Sequence, residues 1–203
     1  MQDGKDAQKV LEVQLPLPEA EIGRVRRQCE LGEGQMCTLF GVHLCSNPVQ
    51  KVNRISKFLR LGCKAGDANG CLLLSQLMFA GRLPGSPSKA FSHVEDSCTR
   101  LSSIEGCFRT AMMRVAGVGT EADVNVGLRQ MMVVCEQGSH GEACLHSGRI
   151  IERLQQHDMW GGSAEEGHKL TEQLLAKSCE FGSQDGCEEL EKFRKRIATL
   201  SPP

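Results

Sequence analysis

Five times along this 203-residue chain a cysteine is followed by another eight or nine residues later. The stretches are CELGEGQMC (Cys29, Cys37), CKAGDANGC (Cys63, Cys71), CTRLSSIEGC (Cys98, Cys107), CEQGSHGEAC (Cys135, Cys144) and CEFGSQDGC (Cys179, Cys187). In one continuous helix a pair spaced by nine would stand about 13 Å apart. A disulfide needs Cα atoms within about 4.4–6.8 Å, so for two such sulfurs to meet the chain must bend between them. CEQGSHGEAC shows how. Gly138 is expected to close one helix in the left-handed conformation. Ser139 is expected to cap the next, with Glu142 three residues on as in a capping box. Each stretch reads as helix, tight turn, helix, with its cysteines facing across the bend. Metal site, redox motif and staple all remain open at this point.

The recurrence constrains the fold further. Successive first cysteines lie 34, 35, 37 and 44 residues apart. A period of 34 to 37 is that of a helical-hairpin repeat, which stacks as a solenoid. The surplus in the last interval, around QQHDMWGGSAEEG, reads as a loop insertion. Residues 1–18 read as irregular, because LPLPEAE holds two prolines. The repeats occupy 19–198, and 199–203 form a tail. A first helix is predicted over 19–31, ending at Gly32. Helices following the second cysteines (A helices) are predicted at about 35–46, 69–80, 105–117, 142–156 and 185–198. Helices leading to the next first cysteine (B helices) are predicted at about 49–64, 88–101, 122–137 and 164–181. Leu73, Leu74, Leu77 and Met78, and likewise Val124, Leu128, Met131 and Met132, keep the rhythm of a helix face. Pro48 and Pro87 suit helix starts, and Gly66, Gly81, Gly117, Gly138 and Gly182 suit helix ends. No stretch sustains the alternation of a strand.

A formal charge of −1 argues against a dedicated nucleic-acid or membrane surface. No run of about 18 apolar residues is present, so no spanning helix is expected. Ten of eleven cysteines fall into the local pairs, leaving Cys45 over. Pairing this regular points to an oxidising compartment. The opening residues carry neither a signal-peptide apolar stretch nor the Arg-rich character of a transit peptide. Small cysteine-paired proteins are known to enter the mitochondrial intermembrane space without a presequence and to be trapped there by oxidation, so that is the compartment expected. The alternative is a mature secreted or periplasmic form.

The stretch GVGTEADVNVGLRQMMVVCEQGSHGEAC (117–144) resembles the Sel1-like repeat. Gly117 and Gly119 match its turn, Asp123 its acidic position, and Gly127 its small residue where two helices touch. Ala90 stands at the same distance before Cys98. Cysteine at both ends of the turn resembles the form found in bacterial secreted cysteine-rich repeat proteins and in a mitochondrial Sel1-repeat assembly factor of cytochrome c oxidase. The resemblance covers about residues 25–198. It implies an all-α, right-handed α-solenoid of about five disulfide-stapled helical hairpins. It also implies a protein-interaction role rather than an enzymatic one. The aromatic usual near the end of an A helix is Phe79 in one repeat, but Cys45, Val115 and Glu152 in others.

The pairs are expected to be disulfides Cys29–Cys37, Cys63–Cys71, Cys98–Cys107, Cys135–Cys144 and Cys179–Cys187. Zinc sites favour gaps of two to four residues and four ligands, and no C-x-x-C redox motif occurs. Each loop of about nine residues is worth on the order of 2.5 kcal/mol in the chain-entropy model. Cys45 is expected as a free, buried thiol, with a docking thiol as the sharper alternative. His43 and His146 each lie two residues from a cysteine. The resemblance to the mitochondrial assembly factor implies haem or copper handling for oxidase maturation as a third functional class, although no C-x-x-C-H motif supports it and no cofactor is expected. No nucleotide, metalloprotease or nucleophile-elbow motif is present. The basic clusters GRVRR and EKFRKR read as solvated helix faces. The partner-facing A-helix residues are expected to be Phe40, His43, Met78, Arg109, Met113 and Arg149. The expected partners are other proteins, namely respiratory-complex subunits.

Overall fold

The computed structural model describes residues 16–46 and 52–200; Pro48 and most of the 1–18 and 199–203 segments lie outside them. Ten helices and no strand occur among the described residues. They are α1 (Glu19–Glu30), α2 (Gly34–Cys45), α3 (Val52–Lys64), α4 (Ala68–Phe79), α5 (Pro87–Thr99), α6 (Ile104–Ala116), α7 (Val124–Gln137), α8 (Gly141–Gln156), α9 (Ala164–Glu180) and α10 (Gln184–Leu200). The chain divides into two compact units, residues 1–106 and 107–203, each described by itself.

In the first unit each helix packs against the next from α1 to α5, and α2 also touches α4. Its core holds Val25, Leu59, Leu74 and Ala90, none more than 1 % exposed, with Phe40 edge-on to Phe58 at 4.5 Å. In the second unit α7, α8, α9 and α10 pack in succession, with further contact between α8 and α10. Met131, Ile151 and Leu174 fill one part of that core, and Leu145, Leu175, Leu190 and Phe193 the other. Gly127 lies where α6 meets α7. A Cβ there would stand 2.8 Å from the Ala111 carbonyl oxygen and 3.0 Å from the Val115 nitrogen.

Every cysteine turn obeys one register, counted back from the second cysteine. Five residues before it the backbone enters the left-handed region; four before it the next helix begins its cap. The left-handed slot falls on Gly32 (φ 96°), Gly66 (99°), Ser102 (52°), Ser139 (46°) and Gly182 (85°). Caps follow at Asp67, whose Oδ1 accepts from the Asn69 N–H, and at Ser103 and Ser183, whose hydroxyls accept from Gly106 and Gly186. This register corrects the sequence reading of CEQGSHGEAC. Gly138 stays right-handed at φ −91°. Ser139 makes the turn, and His140 caps α8 by accepting the Ala143 N–H on Nδ1 at 3.1 Å. In CEQGSHGEAC the extra residue lengthens the B helix, which runs two residues past Cys135 and moves Gly138 out of the slot that needs it; in CTRLSSIEGC the helix ends one residue past Cys98, as in the eight-residue copies, and the extra residue lies in the turn.

The slot just before the second cysteine carries the close approach. It holds Gly70, Gly106, Ala143 and Gly186 in four copies and Met36 in the first. A Cβ on Gly70 would meet the Cys63 nitrogen at 2.7 Å and the Leu59 carbonyl oxygen at 2.9 Å. One on Gly186 would meet the Ser178 Cβ at 2.6 Å. Backbones this close set the paired Cα atoms 4.5–4.7 Å apart in Cys29–Cys37, Cys63–Cys71, Cys135–Cys144 and Cys179–Cys187. Cys98 and Cys107 are disulfide-bonded as well.

The surplus near QQHDMWGGSAEEG is helix, not loop. The connection 157–163 is no longer than 80–86 or 117–123, but α8 has 16 residues where α6 has 13. Likewise α9 has 17 where α7 has 14. About one turn is added to each arm of that hairpin, and the capping box Ser163–Glu166 holds the new start of α9.

Two substitutions test the turn. Gly70→Ala should lower stability by about 1–3 kcal/mol, since backbone must yield to the methyl group. Ser139→Gly should raise it by up to about 1 kcal/mol by relieving a left-handed side chain. The midpoints of urea unfolding in the oxidised protein check both signs.

Candidate functional site

The six residues expected to face a partner are not equivalent. Phe40 is 2 % exposed and Met78 7 %, so both belong to the core rather than a contact surface. The reason is that α2 and α4 are apolar on nearly every face and packed on several sides by their neighbours. His43 is half-buried, and its Nδ1 accepts the Leu17 N–H at 3.1 Å. Arg109 and Met113 are half-buried on α6. Arg149 is half-buried and pairs with Glu189 at 3.6 Å.

Around Arg149 lies a charged face that the sequence did not single out. Arg196 donates to Glu152 at 2.8 Å and to Glu189 at 3.3 Å. These residues line an open cleft of about 330 Å³ with Arg153 and Gln156. A second cleft of about 270 Å³ adjoins it, floored by Phe193 and Ile197 and edged by Gln155 and His168. The added turns of α8 and α9 supply Gln155, Gln156 and Ala164 to it.

The first unit carries a cleft of about 380 Å³ along α3, between Asn53, Ser56, Lys57, Arg60, Leu61, Lys64 and Pro84. No acidic residue lines it. The sequence signal was present: VNRISKFLRLGCK holds Arg54, Lys57, Arg60 and Lys64 and no aspartate or glutamate.

Cys63 Sγ, a His93 ring nitrogen and an Asp96 carboxylate oxygen lie within 4.8 Å of one another. Cys63 is joined to Cys71 and so has no thiolate to offer a metal, and Arg100 lies against it, donating to its carbonyl at 2.8 Å. The His93 Nε2 is buried without a hydrogen-bond partner. Burial, with the Arg60 guanidinium next in weight, holds His93 below the ordinary histidine value, against the pull of Asp96. His146 is lowered too, chiefly by burial, against the pull of Glu142. His140 spends its Nδ1 on the α8 cap. Cys45 is a free, half-buried thiol; burial raises its pKa, partly offset by Arg82.

The described residues include no helix long and apolar enough to cross a membrane. No family model and no curated protein matches the chain. Solved structures do. The chain is similar to c5321, a protective antigen of uropathogenic Escherichia coli with an SLR fold, at 14 % identity and TM-score 0.70, over 86 % of this chain and 36 % of that one. It is similar to a Sel1 repeat protein from Oxalobacter formigenes at 13 % identity and TM-score 0.66, over 91 % of this chain and 77 % of the other. Cysteine rich protein B of Helicobacter pylori aligns at 24 % identity over 62 % of this chain and 91 % of its own, with TM-score 0.48. The chain thus spans little more than a third of c5321. The fold is that of Sel1-like helical-hairpin solenoids.

Two expectations follow. Cys45 should alkylate more slowly than a small free thiol at neutral pH, because less of it is thiolate; timed labelling with iodoacetamide before and after denaturation measures this. His93 and His146 bind protons more readily unfolded than folded, so their contribution to stability is lost as pH falls below about 6.5. The urea midpoint should drop from pH 7.5 to about 5.5, and drop less in the His93→Gln/His146→Gln protein.

Proposed function

We propose that the protein is a non-catalytic interaction scaffold of an oxidising compartment. The compartment is the mitochondrial intermembrane space, and its partners are subunits of a respiratory-chain complex that it helps assemble or joins as an accessory subunit. The observation that carries the scaffold reading is covalent closure of the helical hairpins, with paired Cα atoms 4.5–4.7 Å apart. Closed hairpins present their outward side chains at fixed spacing, and repeat solenoids use such surfaces to bind other proteins. Regular disulfides support an oxidising compartment. The mitochondrial assignment extends the sequence resemblance to the oxidase assembly factor.

A second reading has one specific observation in its favour. The structures of like fold come from bacteria, and one of them is a protective antigen. On that reading the chain is a secreted or periplasmic cysteine-rich binding protein. The proposal gives it no cofactor. Of the two histidines set beside cysteines, His43 accepts the Leu17 N–H on its Nδ1, and the His146 Nε2 lies 3.9 Å from a Glu142 carboxylate oxygen.

Native purification followed by mass spectrometry should recover the protein with other chains, respiratory-complex subunits among them, and a tagged chain should co-fractionate with the intermembrane space. Recovery in the secretory route or periplasm would favour the second reading. Titration with haemin should leave the Soret band unshifted, and a stoichiometric shift would restore the haem-handling class.

A further inference from the structure

The α3 cleft carries more unbalanced charge than its setting accounts for. Lys57, Arg60 and Lys64 line it, and none of them has a carboxylate partner among the described residues. By contrast, Arg26 is paired with Glu30 on its own helix and Lys177 with Glu136 on another. Arg60 is half-buried, and its Nε is hidden with no acceptor. A buried N–H donor left unmatched costs about 1–3 kcal/mol, so the site is unsatisfied by the chain itself. An incoming oxygen anion would supply the missing countercharge to the guanidinium.

The shape selects among anions. Lys57 and Lys64 are about 10 Å apart along the helix axis, and the cleft from Asn53 to Lys64 runs about 16 Å. Between the cations sit Leu61, 39 % exposed, and Pro84 from the α4–α5 connection. Asn53 and Ser56 add hydrogen-bonding groups at one end. A single phosphate would engage one point of this track. An extended peptide that alternates carboxylates with apolar side chains would engage its whole length. A flat anionic membrane would not reach the recessed Arg60.

We propose that the α3 cleft docks an acidic, leucine-bearing segment of a protein partner, with the Arg60 guanidinium at its centre and Lys57 and Lys64 flanking. The site lies on a B helix, away from the A-helix residues expected from the sequence. The proposal rests on the scaffold reading and names the surface on which it operates.

The test uses the full oxidised chain and a fluorescent peptide alternating glutamate with leucine, measured by anisotropy beside its glutamine twin. The acidic peptide should bind, weaken as salt rises, and weaken about tenfold or more in the Lys57→Glu/Lys64→Glu protein. Arg60→Gln should weaken it as well. Lys192→Glu/Lys195→Glu changes net charge equally on exposed α10 positions and should leave binding unchanged. Equal binding of the glutamine twin, equal loss in the α10 control, or binding only to phosphatidylserine vesicles or inorganic phosphate would each overturn the proposal. Native purification of the same variants separates the two levels. A partner that co-purifies undiminished with Lys57→Glu/Lys64→Glu rejects the cleft and keeps the scaffold; no partner with any form, wild type included, rejects the scaffold.

Discussion

The structure depends on how near two helix backbones come at each cysteine turn. A disulfide tolerates a narrow range of Cα separation, and side chains alone would hold antiparallel helices about 8–10 Å apart at their axes. Gly70, Gly106 and Gly186 remove the Cβ that would keep the strands of the turn apart, and Ala143 keeps the smallest one. The sulfurs then close a gap already closed by backbone. The second contact of this kind, Gly127 against Ala111 and Val115, lies at the open end of a hairpin stack. Small residues therefore fit the narrow turns in four of the five copies and the contact between α6 and α7, while the first turn reaches the same Cα separation with Met36 in the slot. Polar contacts add register over one period: the Arg100 guanidinium holds the Cys63 carbonyl, and the Ser178 hydroxyl holds the Gly141 carbonyl.

Much of this was legible in the residues. Cysteine spacing located the turns, and Gly127 marked a helix contact. Gly138 looked like the left-handed residue because glycine is the commonest choice there, yet register is set from the second cysteine, and Ser139 occupies the slot. The surplus near Trp160 falls within α8 and α9, each about one turn longer than its counterpart, rather than in a loop. Phe40 and Met78 were placed on a surface by analogy with repeat geometry. The nearly uniform apolarity of TLFGVHL and CLLLSQLMF already argued for helices surrounded on all sides.

That last error bears on function. A helix hemmed in by neighbours from both its own hairpin and the next has little surface to spend on a partner. In the second unit the contact surface passes to charged side chains: Arg149, Glu189, Arg196 and Glu152 bridge α8 to α10. These pairs are partly exposed, so each is worth little stability on its own. Two of the three cations lining that cleft, Arg149 and Arg196, are already paired with its two glutamates.

The contrast with α3 follows from the same reasoning. Selection for stability alone would place a glutamate or aspartate near Lys57 or Lys64, as α1 does for Arg24 and Arg26 through Glu21 and Glu30. An uncompensated array on one helix costs self-repulsion in the isolated chain, and Arg60 adds a hidden donor without an acceptor. Neither feature helps the fold, because the core beneath is closed by Leu59, Ile55 and Phe58 on the opposite face of α3. Where a stapled scaffold is rigid enough to hold such an array in place, the array is pre-organised, and less of the binding energy is lost to ordering side chains and backbone. The disulfide at Cys63, one residue before Lys64, anchors that end of the helix. Sulfur chemistry and charge pattern thus meet on the same element, the first fixing the position of the second.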